Sequence, residues 1–251
     1  MRYNDNFSSR VLAYIPLHYG KEYLRQAIQA VENHVEKIVI LYTDKPSQGF
    51  ANQSQCPESE QELREIASLS SKVQWVRGEW GHESHHRSYI YQFAKDYDQI
   101  LALDADEVWD EQSLVQCLEQ ASKTGKKYVG ITGFVNFWKS FNHACYDGFA
   151  PIRIINVKVE NQEQEFIPGK VYHFSCAQSY KIIKYKLEVT GHRDEIRKDW
   201  LTEIYLKWTP QNNLQDLHLT SVGLWNAVPF DKTTLPEILK QHPNYHKDAI
   251  Y

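Results

Sequence analysis

The sequence lacks the features that mark membrane, disulfide-stabilised and zinc-binding proteins. Its longest purely apolar runs are a few residues, far short of the roughly 20 that a membrane helix needs. The N-terminal segment Met1–Arg10 is polar and has no apolar h-region, so we expect no secretory signal. The cysteines are scattered and form no CxxC pair: Cys56, Cys117, Cys145 and Cys176. This pattern predicts a reduced, cytoplasmic chain without a disulfide or zinc framework.

The composition also lacks a strong charge bias. In 251 residues there are 28 Lys and Arg and 32 Asp and Glu, and the net charge of −4 argues against a broad surface that coats nucleic acid, while leaving room for a local basic site. With 42% hydrophobic and 24% charged residues, disorder, collagen and coiled coil are excluded. The prominent counts are 16 Tyr, 7 Trp and 11 His. Aromatic rings in that number suit a cleft that stacks on sugars or bases, and they equally suit a core.

Strand and helix patterns alternate over the first 110 residues. Short apolar or β-branched runs predict strands at Val11–Ile15, Lys37–Tyr42, Val73–Val76 and Gln99–Leu103. Apolar residues at helical spacing predict helices at Lys21–Asn33, Glu58–Ser70 and His85–Tyr97, and Pro and Gly predict a loop from Thr43 to Pro57. Such alternation builds βαβ units, so the sequence predicts an α/β fold with a mostly parallel sheet flanked by helices.

The pattern changes after Asp110. We predict a helix at Glu111–Thr124, strands at Tyr128–Trp138, Phe149–Val159 and Val171–Ser175, helices at Tyr180–Glu188 and Asp194–Trp208, and an irregular Pro-containing tail from Thr209. No linker is visible, so we interpret residues 1–251 as a single domain. Residues 1–110 form a nucleotide-type half, and residues 111–251 form a mixed α+β acceptor half with a C-terminal extension.

Four polar segments follow the predicted parallel strands: Pro16–Gly20, Thr43–Lys45, Arg77–His82 and Asp104–Glu107. In open α/β sheets, ligands bind outside the carboxyl ends of the strands. We therefore expect these segments to meet at one edge and to form the site.

The fourth segment carries two carboxylates at an i, i+2 spacing, Asp104 and Asp106. On an extended segment both side chains point the same way, and hard carboxylates with open positions suit Mg²⁺ or Mn²⁺ that is also held by substrate phosphates. The alternative is a solvated acidic turn that caps the helix at Glu111.

With this motif in place, the sequence resembles the GT-A-type glycosyltransferases, and among them the family-2-like enzymes. The resemblance rests on VLAYIPLHYGKEYLRQAI (Val11–Ile28), VILYTD (Val39–Asp44) and LALDADEVW (Leu101–Trp109). It implies a GT-A-like fold, a nucleotide-diphosphate sugar as donor and a divalent metal. It further implies roles for single residues: Pro16, His18 and Asp44 beside the base and ribose, Asp104 on the ribose or metal, and Asp106 on the metal.

A segment of the second half, VYHFSCAQSYKIIKYK (Val171–Lys186), resembles one found in several GT-A groups. The resemblance implies that His173 completes the metal site and that Lys181, Lys184 or Lys186 meets the diphosphate. Imidazole is a suitable third ligand for Mn²⁺ and a poorer one for Mg²⁺. The alternatives are that His173 is a core residue, with His192 as the next ligand candidate, and that the lysines belong to a solvated helix face.

The segment His82–His86 matches the zinc-protease pattern HExxH. It follows Trp80 and Gly81 in a predicted loop and precedes Arg87 where apolar residues are expected, so we interpret the match as chance. We expect Arg87 to border the donor site and contact diphosphate or sugar, or else to be a solvated charge at a helix start.

An inverting transfer needs a carboxylate base near the acceptor hydroxyl. The candidates are Asp147, Asp194 and Glu195, and the family pattern favours Asp147. Phe137, Trp138 and Phe141 form a candidate acceptor wall, or else fill the core.

The sequence thus predicts a metal-dependent, cytoplasmic glycosyltransferase. The cofactor is Mn²⁺ or Mg²⁺, the donor is a nucleotide-diphosphate sugar, and the acceptor is a glycan, a protein or a modified nucleic acid. The alternatives are a sugar-1-phosphate nucleotidyltransferase, although the loop after the first strand has one Gly and no Gly-rich basic run, and a non-catalytic protein that binds sugar nucleotides or glycans on the same fold.

Overall fold

The computed structural model describes residues 9–47 and 54–251, so Met1–Ser8 and part of the predicted loop after Thr43 lie outside the described residues. In this part of the chain ten strands join in one sheet. They are β1 (Val11–Leu17), β2 (Lys37–Tyr42), β3 (Val73–Arg77), β4 (Gln99–Ala102), β5 (Glu107–Trp109), β6 (Tyr128–Trp138), β7 (His143–Cys145), β8 (Ile152–Asn156), β9 (Gln164–Cys176) and β10 (Val228–Pro229).

The helices lie between and beside these strands. The α-helices are α1 (Leu24–Val31), α2 (Glu60–Ala67), α3 (Glu83–Ser88), α4 (Glu111–Lys123), α5 (Tyr180–Val189) and α6 (Glu237–Lys240). Short 3-10 helices span Glu32–His34, Tyr89–Asp96, Arg193–Glu195 and Lys232–Thr234, and a π-helix spans Trp200–Tyr205. No helix among the described residues is long and apolar enough to cross a membrane.

The sheet has a parallel half and a mixed half. Its strand order is β10-β7-β6-β8-β4-β1-β2-β3, and β9 pairs with both β6 and β5. Strands β3, β2, β1 and β4 are parallel to one another, whereas β8 runs antiparallel to β4 and to β6. The predicted α/β class is confirmed: the sheet is parallel in the first half and mixed in the second, and helices flank it.

Alternation along the central strands places apolar residues on both faces of the sheet. In β1, Ala13 and Ile15 pack in one buried cluster, with α1 and α2, while Leu12 and Tyr14 pack in another, with the 3-10 helix Tyr89–Asp96. Both faces must be covered because successive side chains of a strand point to opposite sides. The result is a rigid centre whose strand ends present polar loops.

The second half is held by aromatic side chains. Trp138 packs edge-to-face on Trp200, Tyr205 and Trp208, with ring centroids 5.4 to 6.2 Å apart. Phe137 and Phe141 belong to the main cluster, and all three rings of the suggested acceptor wall are fully buried. The acceptor-wall interpretation of these residues was therefore wrong, because all three rings pack inside buried clusters and none faces a cavity.

Several predicted elements differ from the structure. The helix expected at His85–Tyr97 is α3 followed by the 3-10 helix Tyr89–Asp96, and the strand expected at Phe149–Val159 is the shorter β8. The helix expected at Asp194–Trp208 is broken into the 3-10 helix Arg193–Glu195 and the π-helix Trp200–Tyr205, with Asp199 left-handed at φ +57° between them. The short strand expected at Val171–Ser175 is the end of the longer β9. Pro168 concealed that strand, which the sheet accommodates through a register shift in β6 between Thr132 and Phe134.

Candidate active site

A cleft of about 310 Å³ opens at the carboxyl ends of the parallel strands. It is lined by most of the residues that the resemblance singled out, and also by Arg87: the former are Pro16, His18, Asp104, Asp106, His173 and Lys186. They come from β1, α3, the β4–β5 connection, β9 and α5. The cleft therefore joins residues that are far apart in the sequence, where parallel-sheet topology predicts a site.

The pairing of β5 with β9 brings Asp106 to His173. Glu107 lies directly opposite His173 in this antiparallel ladder, and the amide of Phe174 donates to the carbonyl of Asp106 at 2.9 Å. As a result, Nε2 of His173 lies 3.7 Å from Oδ1 of Asp106. The backbone ladder thus sets the distance between the two side chains.

Asn136 orients the His173 ring. It pairs with His173 across the parallel β6–β9 ladder, and its buried Oδ1 lies 2.8 Å from Nδ1 of His173. When Nδ1–H donates to this amide oxygen, Nε2 carries the lone pair and faces Asp106. Such a partner is what a metal-binding imidazole requires, since it fixes both the tautomer and the ring orientation.

Asp104 is held by two guanidinium groups. Its Oδ1 accepts from Arg87 at 2.9 Å and its Oδ2 accepts from Arg153 at 3.0 Å. Burial by itself raises the pKa of Asp104, but the two arginines outweigh burial and hold its pKa below the ordinary value. Asp104 is therefore ionised, with both oxygens engaged by protein.

Glu107 completes this ion network beneath the cleft. Its side chain is 1% exposed and forms two close contacts with Arg153, one of them from Nε at 2.8 Å. Burial raises the pKa of Glu107, and Arg153 opposes that shift. A carboxylate so deeply buried is tolerated only with a matched cation, so Arg153 binds Glu107 and Asp104 together.

These donor sets bear on the expected metal. Asp106 and His173 fit as two ligands of a divalent ion whose remaining positions are filled by phosphate oxygens and water. Asp104, the third expected ligand, is occupied by Arg87 and Arg153. Among the described residues, no group of three or more His, Cys, Asp or Glu side chains is arranged to hold a metal. The described residues therefore offer two ligands at this point, and the other positions of a bound ion would be left to water or to a second molecule.

Lys186 brings a positive charge to the same point. Its Nζ lies 3.6 Å from Oδ2 of Asp106 and donates to Oγ of Ser175 at 2.6 Å. Burial lowers the pKa of Lys186, but the carboxylate of Asp106 more than offsets this and leaves the pKa raised. Gln178 donates to the same Asp106 oxygen at 3.0 Å. The ammonium is thus charged and fixed at the cleft.

The far side of the cleft is built on His18. Its Nδ1–H donates to the carbonyl of Thr43 at 2.8 Å, and its Nε2 accepts from the hydroxyl of Tyr185 at 2.7 Å. Burial lowers the pKa of His18, so the ring is neutral. Asp44, the third residue expected beside the nucleoside, is exposed, pairs with Arg77 at 2.7 Å and does not line the cleft.

The HExxH match is not a metal site. His82 is exposed and caps the N-terminus of α3. His86 is buried, donates from Nε2 to the carbonyl of Leu41 at 2.7 Å, accepts at Nδ1 from Ser47 at 3.0 Å and stacks on Trp80. Both nitrogens of His86 are occupied, in agreement with the interpretation of the match as chance.

The remaining predicted lysines lie away from the cleft. Lys181 is exposed and donates to the carbonyl of Pro57 at 3.3 Å, and Lys181 and Lys184 line a separate shallow depression. Both occupy the outer face of α5, whereas Lys186 points inward. Of the three lysines, the structure brings one to the cleft.

A second cavity, of about 810 Å³, adjoins the cleft. The two share Arg87, Asp104, His173, Ser175, Lys186, Thr190 and His192. Asp147 lines the second cavity, where its Oδ2 accepts from Nε1 of Trp225 at 2.5 Å. Glu195 lies at its exposed rim and pairs with His192, while Asp194 lines neither cavity and faces Arg193.

Sequence reasoning missed Arg153, Glu107, Asn136 and Gln178. Arg153 had a visible signal, because an arginine inside the apolar run IRII has to be paired if that run is a buried strand. Glu107 directly follows Asp106, and the sequence offers no sign that its carboxylate is buried while those of Asp104 and Asp106 face the cleft. Nothing in the sequence marks Asn136 or Gln178 as a site residue. Only the pairing of β6 with β9 and the fold of the loop after β9 bring them to the site.

In a comparison with solved structures, the chain is similar to GalNAc-T7, whose crystal structure contains UDP, GalNAc and Mn²⁺. The identity is 14% and the TM-score 0.48, over 68% of this chain and 44% of that one. It is also similar to 4-diphosphocytidyl-2C-methyl-D-erythritol synthase from Anaerococcus prevotii DSM 20548, at 11% identity and a TM-score of 0.41, over 64% of this chain and 88% of that one.

The chain therefore spans less than half the length of the GalNAc-T7 chain. Similarities of this size concern the fold, and they say nothing about the activity of this chain. No protein-family model matches the sequence, and no curated protein matches it.

Proposed function

We propose that the chain is a glycosyltransferase that takes its sugar from a nucleotide-diphosphate sugar. The observation that carries this proposal is the meeting of Asp106, His173 and Lys186 at the carboxyl edge of the parallel sheet, beside a second cavity. A carboxylate and an imidazole suit a divalent ion, and an ammonium suits a diphosphate. No single one of these groups would favour a nucleotide sugar, but their combination does.

In this proposal Asp106 and His173 hold Mn²⁺ or Mg²⁺, which neutralises charge on the leaving diphosphate. Lys186 contributes a second, protein-borne positive charge at the same place. Arg87 lines the cleft and its charge is partly matched by Asp104 and Glu83. Preorganised charges of this kind stabilise a leaving anion without reorganising during the reaction.

The transfer breaks the bond between sugar C1 and the diphosphate oxygen, and the electron pair leaves with the diphosphate. The acceptor hydroxyl oxygen forms the new bond to C1, and its proton passes to a carboxylate. Asp147 is our candidate for this base, because it lines the cavity that opens onto the cleft. Glu195 is a weaker candidate at the exposed rim, and the position of Asp194 outside both cavities speaks against it.

The test is a calorimetric titration with UDP-glucose, UDP-N-acetylglucosamine and GDP-mannose, in Mn²⁺ and in EDTA. We expect at least one of them to bind, and to bind at least tenfold more weakly in EDTA. Asp106→Asn should remove the Mn²⁺-dependent part of the affinity, and Lys186→Gln should weaken binding in both media. Asp248→Asn, an exposed carboxylate outside both cavities, is the control.

Hydrolysis of the bound donor distinguishes an enzyme from a binding protein. Pyrophosphate release from UTP and glucose 1-phosphate would instead support a nucleotidyltransferase. If none of the three donors binds, or if binding ignores both EDTA and Asp106→Asn, the proposed function is wrong.

A further inference from the structure

The second cavity is continuous with the cleft through His173, Ser175, Lys186, Thr190 and His192. Its volume of about 810 Å³ lies within the usual range for sites that enclose a small ligand. A molecule held there meets the same side chains that face the proposed leaving diphosphate. The geometry of the cavity therefore suits the second substrate of a transfer reaction.

The charges along this cavity are distributed unevenly. The cations that line it, within the described part of the chain, are Arg87, Arg153 and Lys186, and all three lie at the end shared with or next to the cleft, engaged by carboxylates. The far end, beside Phe149 and Trp225, carries Asp147 without a lysine or arginine in its lining, whereas Glu195 pairs with His192 at the end shared with the cleft. A phosphorylated acceptor would meet like charge there, and like charges placed close together repel.

The far end also presents apolar faces. Phe149 is 67% exposed and Leu224 is 44% exposed, although both line the cavity. Trp225 stands beside them, and its indole N–H is held by Asp147. Flat aromatic faces left in solvent suit the C–H face of a sugar ring, because they offer apolar area in one fixed orientation.

Hydrogen-bonding groups lie next to these rings. Nδ1 of His218 accepts from the amides of Thr220 at 3.3 Å and Ser221 at 3.0 Å, so the ring proton is on Nε2. Burial lowers the pKa of His218, which keeps the ring neutral. Its edge contact with Trp225, at 4.8 Å between centroids, sets it beside the aromatic face. Neutral donors and acceptors beside an aromatic plane match the hydroxyls of a carbohydrate.

We infer that the second cavity binds the acceptor, and that this acceptor is an uncharged carbohydrate whose ring lies on Phe149 and Trp225. The inference rests on the proposed function, because the word acceptor presupposes a transfer. It selects a glycan over a protein or a modified nucleic acid. The apolar faces and the acidic far end are the two observations that make this selection.

Saturation-transfer NMR tests the inference directly, with the full chain, UDP and Mn²⁺ so that the cleft is filled. The probes are the methyl β-glycosides of glucose, galactose and N-acetylglucosamine, with glucose 6-phosphate, a short single-stranded RNA and a Ser/Thr-rich peptide for comparison. We expect at least one neutral glycoside to receive saturation on the protons of one ring face. Glucose 6-phosphate should bind at least tenfold more weakly than the glucoside.

Phe149→Ala should weaken glycoside binding about two- to tenfold, the range expected for one aromatic contact. The matched control is Phe166→Ala, since Phe166 is 50% exposed and lies outside the cavity. Equal losses in both variants, no binding of any neutral glycoside, or preferential binding of RNA or peptide would overturn the inference.

The two proposals fail separately. Donor binding without glycoside binding removes the acceptor assignment and leaves the proposed function standing. Glycoside binding without any donor binding shows that the proposed function is wrong, and the cavity then no longer counts as an acceptor site.

Discussion

Replacing Arg153 by Met should lower the free energy of unfolding, because it leaves the buried carboxylate of Glu107 without its cation. The side chain of Glu107 is 1% exposed and that of Arg153 is 10% exposed, so water cannot replace the lost guanidinium. Removing one partner of a buried ion pair costs about 3–5 kcal/mol, because the other charge stays buried and uncompensated. That is a large part of the roughly 5–15 kcal/mol by which a domain is stable. Urea unfolding at pH 7.5 measures the loss.

The direction of the pH effect follows from Glu107. Burial already raises its pKa, and losing Arg153 should raise it further. A carboxyl whose folded pKa exceeds its unfolded pKa binds more protons in the folded state, so its contribution to stability falls as pH rises. The deficit of Arg153→Met should therefore be largest at pH 7.5 and smaller at pH 5.5.

Two further variants make the reasoning refutable. Arg153→Met combined with Glu107→Gln removes the buried charge, so the double variant should be more stable than Arg153→Met at pH 7.5. Arg10→Met breaks an exposed pair with Glu36 and should cost far less than Arg153→Met. The argument fails if Arg10→Met and Arg153→Met cost the same, or if the double variant gains nothing.

Two other predictions concern stability. A Cβ on Gly133, at φ +90°, would lie 2.2 Å from the carbonyl oxygen of Gly169, so Gly133→Ala should lower the free energy of unfolding by about 2 kcal/mol or more. Gly125, at φ +65°, faces open space, so Gly125→Ala should lower it by only about 1 kcal/mol. Urea unfolding measures both. If the two variants lose the same free energy of unfolding, the close approach of the backbones at Gly133 and Gly169 does not explain the loss. Burial lowers the pKa of His86, so the unfolded state binds the extra proton and stability should fall as pH drops below about 6.5. His86→Gln should flatten that part of the pH curve, and an unchanged curve would show that His86 does not titrate on unfolding.

The central part of the fold could be predicted because its strands are short, apolar and continuous. The bounds of β2 and β6 are those predicted, and the stripe Leu24, Ile28 and Val31 of α1 is buried as expected. Buried strands and amphipathic helices owe their pattern to local periodicity. The region of Asp194–Trp208 has a helical pattern too, but packing of Trp200 on Trp138 decides its conformation.

The site residues that could be predicted from the sequence are those that lie at the ends of predicted strands. Asp104 and Asp106 follow β4 directly, and sheet topology sends them to the cleft. Asp104 pairs with Arg87 and Arg153, which belong to two other elements of the fold. The sequence does not show this pairing, so it could not reveal that Asp104 is unavailable as a third metal ligand. The same holds for Asp44, which follows β2 as expected. Its side chain pairs with Arg77 and does not line the cleft, and the sequence does not show that pairing.

The ladder between β5 and β9 has a consequence for how such a protein can diversify. Glu107 faces His173 across it, so the spacing of Asp106 and His173 is independent of the length of chain between them. Residues 146–151 lie between β7 and β8 and supply part of the wall of the second cavity. That segment can be lengthened or exchanged while the paired strands keep Asp106 and His173 in place. The strands thus fix the geometry of the cleft, whereas a loop forms part of the second cavity. Exchanging that loop is therefore the way to change which molecules the second cavity accepts.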